Sequence, residues 1–103
     1  MIVRSWSGRA TSAGAEAYIT HSRRKVLPDL QRIAGNRGAM LFRKCVSDEV
    51  EVVVLTFWDS LAPIQEFAGK DANVAVVEPE AKAVLKTFDT HVQHFELILD
   101  SRA

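Results

Sequence analysis

The sequence predicts an α+β domain, a β-α-β-β-α-β chain whose strands form one four-stranded antiparallel sheet with helices on one face. Three observations carry that expectation. Stretches rich in Val, Ile, Phe and Trp stand at 1–9, 39–46, 50–58 and 91–99, as strands require. Between the first two runs an apolar stripe with three- and four-residue steps, the mark of a helix with one buried face. Shorter helical segments, at 61–68 and from Pro79, separate the third strand from the last.

Each element has a local cause. The first strand, 1–9, meets no breaker before Gly8. Thr11 or Ser12 then caps a helix, its hydroxyl accepting from an unpaired first-turn amide. The stripe is Ala15, Tyr18, Ile19, Ser22, Val26, Leu30 and Ile33, and Arg23, Arg24 and Lys25 form a solvated opposite face. Pro28 has no amide hydrogen, so a kink is expected there. Gly35-Asn36-Arg37-Gly38 is a turn. Ala39–Val46 and Val50–Trp58, joined by Ser47-Asp48-Glu49, form an antiparallel hairpin. Asp59-Ser60 caps a helix through Ile64, Phe67 and Ala68, with Pro63 in its first turn and Gly69 at its end. Residues 70–77 carry no clear pattern. Pro79 opens a helix through Ala83, Val84 and Leu85, and His91–Leu99 is the last strand. The order matches the ferredoxin-like split βαβ arrangement.

The third strand predicts more than a strand. Val52 to Leu55 is apolar at every position, whereas a half-buried strand alternates. Both faces of the sheet must be covered there, and the helices cover one. A second copy of the chain is the economical cover, so a homodimer packed sheet to sheet is expected.

Composition limits function less than fold. The chain has 103 residues, 48% hydrophobic and 25% charged, with 13 basic and 13 acidic side chains. That describes one globular domain, and the zero net charge argues against a nucleic-acid binder. No apolar run is long enough to span a membrane, and Arg4 and Arg9 interrupt the start where a signal peptide would be apolar. A single cysteine, Cys45, makes a reducing cytoplasm the expected location. The basic residues concentrate before residue 45 and the acidic ones after it, a pattern that folding into one domain would neutralise.

Met1-Ile2-Val3-Arg4-Ser5-Trp6-Ser7-Gly8, Thr56-Phe57-Trp58-Asp59-Ser60, Glu66-Phe67-Ala68-Gly69 and Val92-Gln93-His94-Phe95-Glu96-Leu97 together resemble the antibiotic biosynthesis monooxygenase (ABM) family over nearly the whole chain. The resemblance implies one domain, 1–103, with the dimeric α+β barrel fold. It also implies cofactor-independent oxidation of a small aromatic, of phenol, anthrone or quinol type, with O2. Two other readings suit the same fold: a non-catalytic barrel that binds a small hydrophobic ligand, and a proton-transfer enzyme such as a lactone isomerase. Family members that degrade haem pair a tryptophan on the second helix with a histidine about ten residues later. Here Phe67 and Val77 stand at those places, and no histidine lies between His21 and His91, so no haem or other cofactor is expected.

Candidate residues follow from chemistry. Trp6, Tyr18, Phe42, Trp58 and Phe67 are the aromatic candidates for the wall of a substrate pocket. Arg4 lies inside a strand, and a buried guanidinium needs an anion, either Glu96 across the sheet or a bound phenolate. A base that titrates near neutrality points to histidine. His94 is the chosen candidate, with Glu96 two residues on along the same strand face and Arg4 steadying the substrate anion. His91 falls on the opposite face, so the two cannot share a metal ion, and no metal site is expected. His21 reads as an exposed helix residue and Cys45 as a small core residue.

Overall fold

The computed structural model describes residues 1–102. In chain order the elements are β1 (Ile2–Ala10), α1 (Ser12–His21), a π-helical turn (Ser22–Val26), α2 (Leu27–Gln31), β2 (Asn36–Val46), β3 (Glu49–Trp58), α3 (Leu61–Ala68), α4 (Pro79–Val84), β4 (Thr87–Phe88) and β5 (Gln93–Glu96). Thr11 caps α1 as expected, its hydroxyl accepting from the Gly14 amide at 3.0 Å. Gly14 is required there: any Cβ would strike the backbone carbonyl of Val84, so α1 and α4 approach backbone to backbone.

The long helix departs from expectation before Pro28 rather than at it. The proline ring crowds the carbonyl four residues back, that of Arg24. The chain widens to accommodate it, and the Leu27 amide bonds to the Ser22 carbonyl five residues earlier. Gly35 closes the next turn at φ 93°, where a Cβ would also collide with Pro63. The hairpin is tighter than read from sequence, with Val46 paired to Glu49 and Ser47 at φ 57° in a two-residue turn.

All strand pairs are antiparallel, in the order β2-β3-β1, with β4 and β5 both on the far side of β1. The fourth position of the sheet is therefore split. β4 pairs with Gly8–Arg9 and β5 with Ile2–Ser5, where a continuous strand His91–Leu99 was expected. His91 makes only an isolated bridge to Val74. Among the described residues no helix is long and apolar enough to cross a membrane.

Strand alternation sorts the side chains. Arg4, Gly8 and Ala10 of β1 and Val50, Val52, Thr56 and Trp58 of β3 are buried, on the face that carries the helices. The opposite face bears Val3, Val53, Leu55, Phe57 and, by register, Phe42 and Phe95. Among the described residues no helix covers this second face, and Phe42 and Phe95 are 49% and 53% exposed. Cys45 is exposed rather than a core residue, because the end of β2 runs out beyond the helices.

Under the helices the core is divided in two. One cluster joins Ala10, Ala15, Tyr18, Val50, Val52, Ala81 and Leu85, with Trp6 packed against it. The other joins Leu30, Trp58, Ile64 and Ala72, with Phe67 and Val26 against it. What separates the two is a cavity.

Candidate functional site

The cavity measures about 330 Å³ and lies between the middle of the sheet and the helical layer. Its floor is Arg4, Trp6, Val54 and Thr56, neighbours across the β1–β3 register. Tyr18, Val26 and Leu30 close it from the α1–α2 side, Phe67 from α3, and Val76 and Val77 from the segment before α4. Polar groups enter at few points: Arg4 and Thr56 below, His21, Lys25 and Asp29 from the helical side, and Glu78 opposite them. A largely apolar chamber with a few convergent polar groups is the usual form of a small-molecule site.

Arg4 is the buried charge at this site, 4% exposed. Its guanidinium donates to the carbonyls of Ala72 and, at 2.9 Å, of Val74, tying down the segment that follows α3. Its carbon sits 5.8 Å from the centre of the Phe67 ring. Burial lowers its pKa, and no carboxylate reaches it among the described residues. The expected partner, Glu96, is exposed and makes no ion pair among those residues; across from Arg4 the register places His94 instead. Two carbonyl dipoles and a neutral imidazole leave the positive charge of Arg4 without an anion.

His94 is not placed on the cavity wall. Its Nε2 lies 3.0 Å from Arg4 Nη1 and its Nδ1 3.3 Å from Asn73 Oδ1. Arginine can only donate, so Nε2 accepts and Nδ1 carries the hydrogen toward the amide oxygen. Burial first, and the charge of Arg4 second, push the His94 pKa down. The lone pair a base would use is thus already engaged.

Four of the eight residues singled out from sequence line the cavity: Arg4, Trp6, Tyr18 and Phe67. Trp6 donates from Nε1 to the Asp89 carbonyl at 2.8 Å, and its ring lies 5.7 Å from that of Tyr18. Tyr18 is buried, which raises its pKa, with Ser22 opposing and Glu78 adding to the rise. Trp58 lies behind the wall, 0% exposed, with Nε1 donating to Thr56 Oγ1 and its ring stacked on Phe67. Phe42 faces the other side of the sheet, because its register partner is Val53.

The residue missed from sequence is His21. Its side chain is only 14% exposed, and its Nε2 is buried with no hydrogen-bond partner, 3.8 Å from Glu78 Oε1. The other oxygen of Glu78 accepts from Lys25 Nζ at 2.5 Å. One sequence signal was present: His21 follows Tyr18 by three residues and so shares its helix face. Among the described residues, His21, Glu78 and Glu80 each bring one donor atom to within 4.8 Å of the others. Phe67 and Val77, which stand where the family's haem degraders carry their tryptophan and histidine, line the cavity and offer no donor atom for a haem iron.

No protein-family model matches this sequence, and no curated protein matches it. Solved structures do. One is a haem-degrader, MhuD, from Mycobacterium tuberculosis, with two haems bound in its active site. It is 21% identical, with a TM-score of 0.63 over 99% of this chain and 100% of that one. Another is a Bacillus cereus protein described as a candidate antibiotic biosynthesis monooxygenase. It is 13% identical, with a TM-score of 0.60 over 100% of this chain and 98% of that one. At these identities the likeness establishes the fold alone, an α+β chain with an antiparallel sheet as in those two proteins.

Proposed function

We propose that the protein is a monooxygenase that takes a small flat aromatic of phenol, anthrone or quinol type into the cavity and oxidises it with O2, the substrate itself being the reductant. The observation that carries this reading is Arg4, a buried guanidinium on the floor of an apolar chamber with no carboxylate partner. An aromatic oxyanion supplies the missing charge, and a charge-assisted hydrogen bond in a dry site strengthens as that charge develops. For an anthrone the reaction balances without another donor. The CH2 group and O2 give a carbonyl and water. Loss of a proton leaves a carbanion, the carbanion passes one electron to O2, and the radical pair joins to a peroxide that expels water.

The same proposal includes a homodimer formed through the open face of the sheet. Val53, Leu55, Phe57, Phe42 and Phe95 lie on that face, and an apolar sheet surface of this kind calls for a cover.

The test is oxygen uptake on a panel of anthrones, naphthols and quinols, with ligand binding followed in parallel. Arg4→Met is expected to weaken binding of the anionic ligand about 10- to 150-fold, the equivalent of one hydrogen bond to a charged group at roughly 1.5–3 kcal/mol. Binding with no uptake on any substrate would refute the oxygenase and leave a ligand-binding barrel. Exchange of substrate protons without uptake would instead mark a proton-transfer enzyme.

A further inference from the structure

We propose that His21, oriented by Glu78, is the proton acceptor of this site; the inference rests on the aromatic-substrate reading above. Four observations converge on it. His21 ends α1 where the helix widens into the π-helical turn, and both His21 and Lys25 thereby reach the cavity. Such turns recur at functional sites because the extra residue re-aims side chains without breaking the helix. The imidazole is mostly enclosed, and its Nε2 has no hydrogen-bond partner. The nearest charge to that nitrogen is the Glu78 carboxylate, 3.8 Å away.

These positions settle the tautomer. A hydrogen on Nε2 points to a carboxylate, whereas a lone pair there would face negative charge, so the hydrogen belongs on Nε2 and the lone pair on Nδ1. Glu78 is itself fixed by Lys25 on its other oxygen. The 3.8 Å gap is long for a hydrogen bond, as base–orienter contacts often are without substrate, and it closes when imidazolium forms beside the anion. Around His21 stand Tyr18 and Lys25 on its own helix, Asp29 beyond them, and Glu78 and Glu80 opposite. Lys25 is engaged by Glu78 and Asp29, so the cation next to the histidine is already matched.

The arrangement has two poles. Arg4 belongs to the sheet and His21 to the helical layer. A substrate spanning them loses a proton at one edge and collects charge at another. An anthrone does this. The C–H proton passes to His21 Nδ1, the electron pair of that bond enters the ring system, and the charge appears on the carbonyl oxygen held by Arg4. Imidazolium is stabilised by Glu78 until O2 has taken the electron and joined the carbon; its proton then goes to the peroxide, and loss of the second C–H proton with cleavage of the O–O bond leaves the carbonyl and releases water. Glu78 is a positioning residue here, acting through the histidine.

The experiment separates this step from oxidation. Anthrone is added to the protein in D2O without oxygen, and loss of its methylene proton signal is followed by NMR. Wild type is expected to exchange the methylene protons faster than the same buffer without protein. His21→Gln is expected to bind anthrone within a few-fold of wild type yet exchange about 10²–10⁴-fold more slowly. Added imidazole should restore part of its rate. Glu78→Gln should slow exchange with anthrone affinity within a few-fold of wild type, and Glu78→Asp, which keeps the carboxylate, should restore part of the rate. His91→Gln, at a histidine off the cavity wall, should leave the exchange unchanged. Equal exchange in wild type and His21→Gln would overturn the proposal while leaving the oxygenase intact. So would loss of wild-type exchange on adding EDTA, which would assign the cluster to a metal ion. Normal exchange with no oxygen uptake would sustain His21 as the acceptor and refute the oxygenase. Failure of anthrone to bind would overturn both.

Discussion

Replacing Trp58 tests whether the cavity stands on a packed foundation. The indole is 0% exposed, hydrogen-bonds Thr56 at 2.8 Å and stacks on Phe67 with ring centres 5.7 Å apart. The other buried members of its cluster are Leu30, Ile64 and Ala72, too few to fill a void of that size. Truncating a buried aromatic costs about 3–5 kcal/mol. A chain of this length has on the order of 5–15 kcal/mol in all, so Trp58→Ala consumes about a fifth or more of it. Trp58→Phe keeps the ring but strands the Thr56 hydroxyl, at about 1–2 kcal/mol. That corresponds to a fall in Tm of roughly 4–16 °C. Urea titrations at one fixed protomer concentration measure both, since the stability of an assembling chain depends on concentration. The midpoint should move at constant slope. Ligand binding supplies a second readout: Phe67 keeps its backing in Trp58→Phe and loses it in Trp58→Ala, so affinity should fall only in the latter. A Trp58→Ala protein within about 1 kcal/mol of wild type would refute the supporting role.

Other outcomes follow from the geometry. Val53→Asp puts a carboxylate on the open sheet face, where burial against a partner costs several kcal/mol, so light scattering should show monomer with unchanged circular dichroism. A wild type of 11.4 kDa at micromolar concentration would remove the dimer altogether. Haemin should give no sharp Soret shift and no reductant-driven loss of haem, and stoichiometric binding with turnover would contradict the ligand assignment. His94 has a lowered pKa in the fold, so the unfolded chain binds more protons just below pH 6.5. Stability should therefore be fully present above that pH and decline as pH falls toward the folded value. His94→Asn should flatten this slope, and an unchanged slope would show that the shift is not felt.

Periodicity made most of the fold legible. The β1, β2 and β3 strands and the stripe from Ala15 to Ile33 follow from side-chain spacing, because burial on one face is a local property of strands and helices. The last strand did not come through whole. The strand expected over His91–Leu99 is confined to Gln93–Glu96, and β4 at Thr87–Phe88 was not foreseen, because contacts from elsewhere, such as Trp6 Nε1 on the Asp89 carbonyl and the Val92 amide on the Asn73 carbonyl, hold the chain between them. The site was half legible for the same reason. Arg4, Trp6, Tyr18 and Phe67 declare themselves by position on an element, and all four reach the cavity. His21 does not, since what encloses it is Glu78, 57 positions away in a stretch with no periodic pattern. His94 was paired in sequence with Glu96 on one strand face, but a strand face says nothing of which neighbour occupies a lone pair.

The sheet also has consequences for handling the protein. β2 pairs with β3 alone, so its 11 residues leave a long row of backbone groups without strand partners, next to exposed Phe42 and Val46. Such a border can recruit further chains into disordered association. With a net charge of zero, the molecule has little overall repulsion to hold copies apart. The deterrent is local: Arg37, Arg43 and Lys44 stand along this border, paired with Asp59, Glu16 and Glu51. Colloidal behaviour therefore depends on a few cations at one rim, and neutral pH with high salt, which screens them, is the least favourable storage condition.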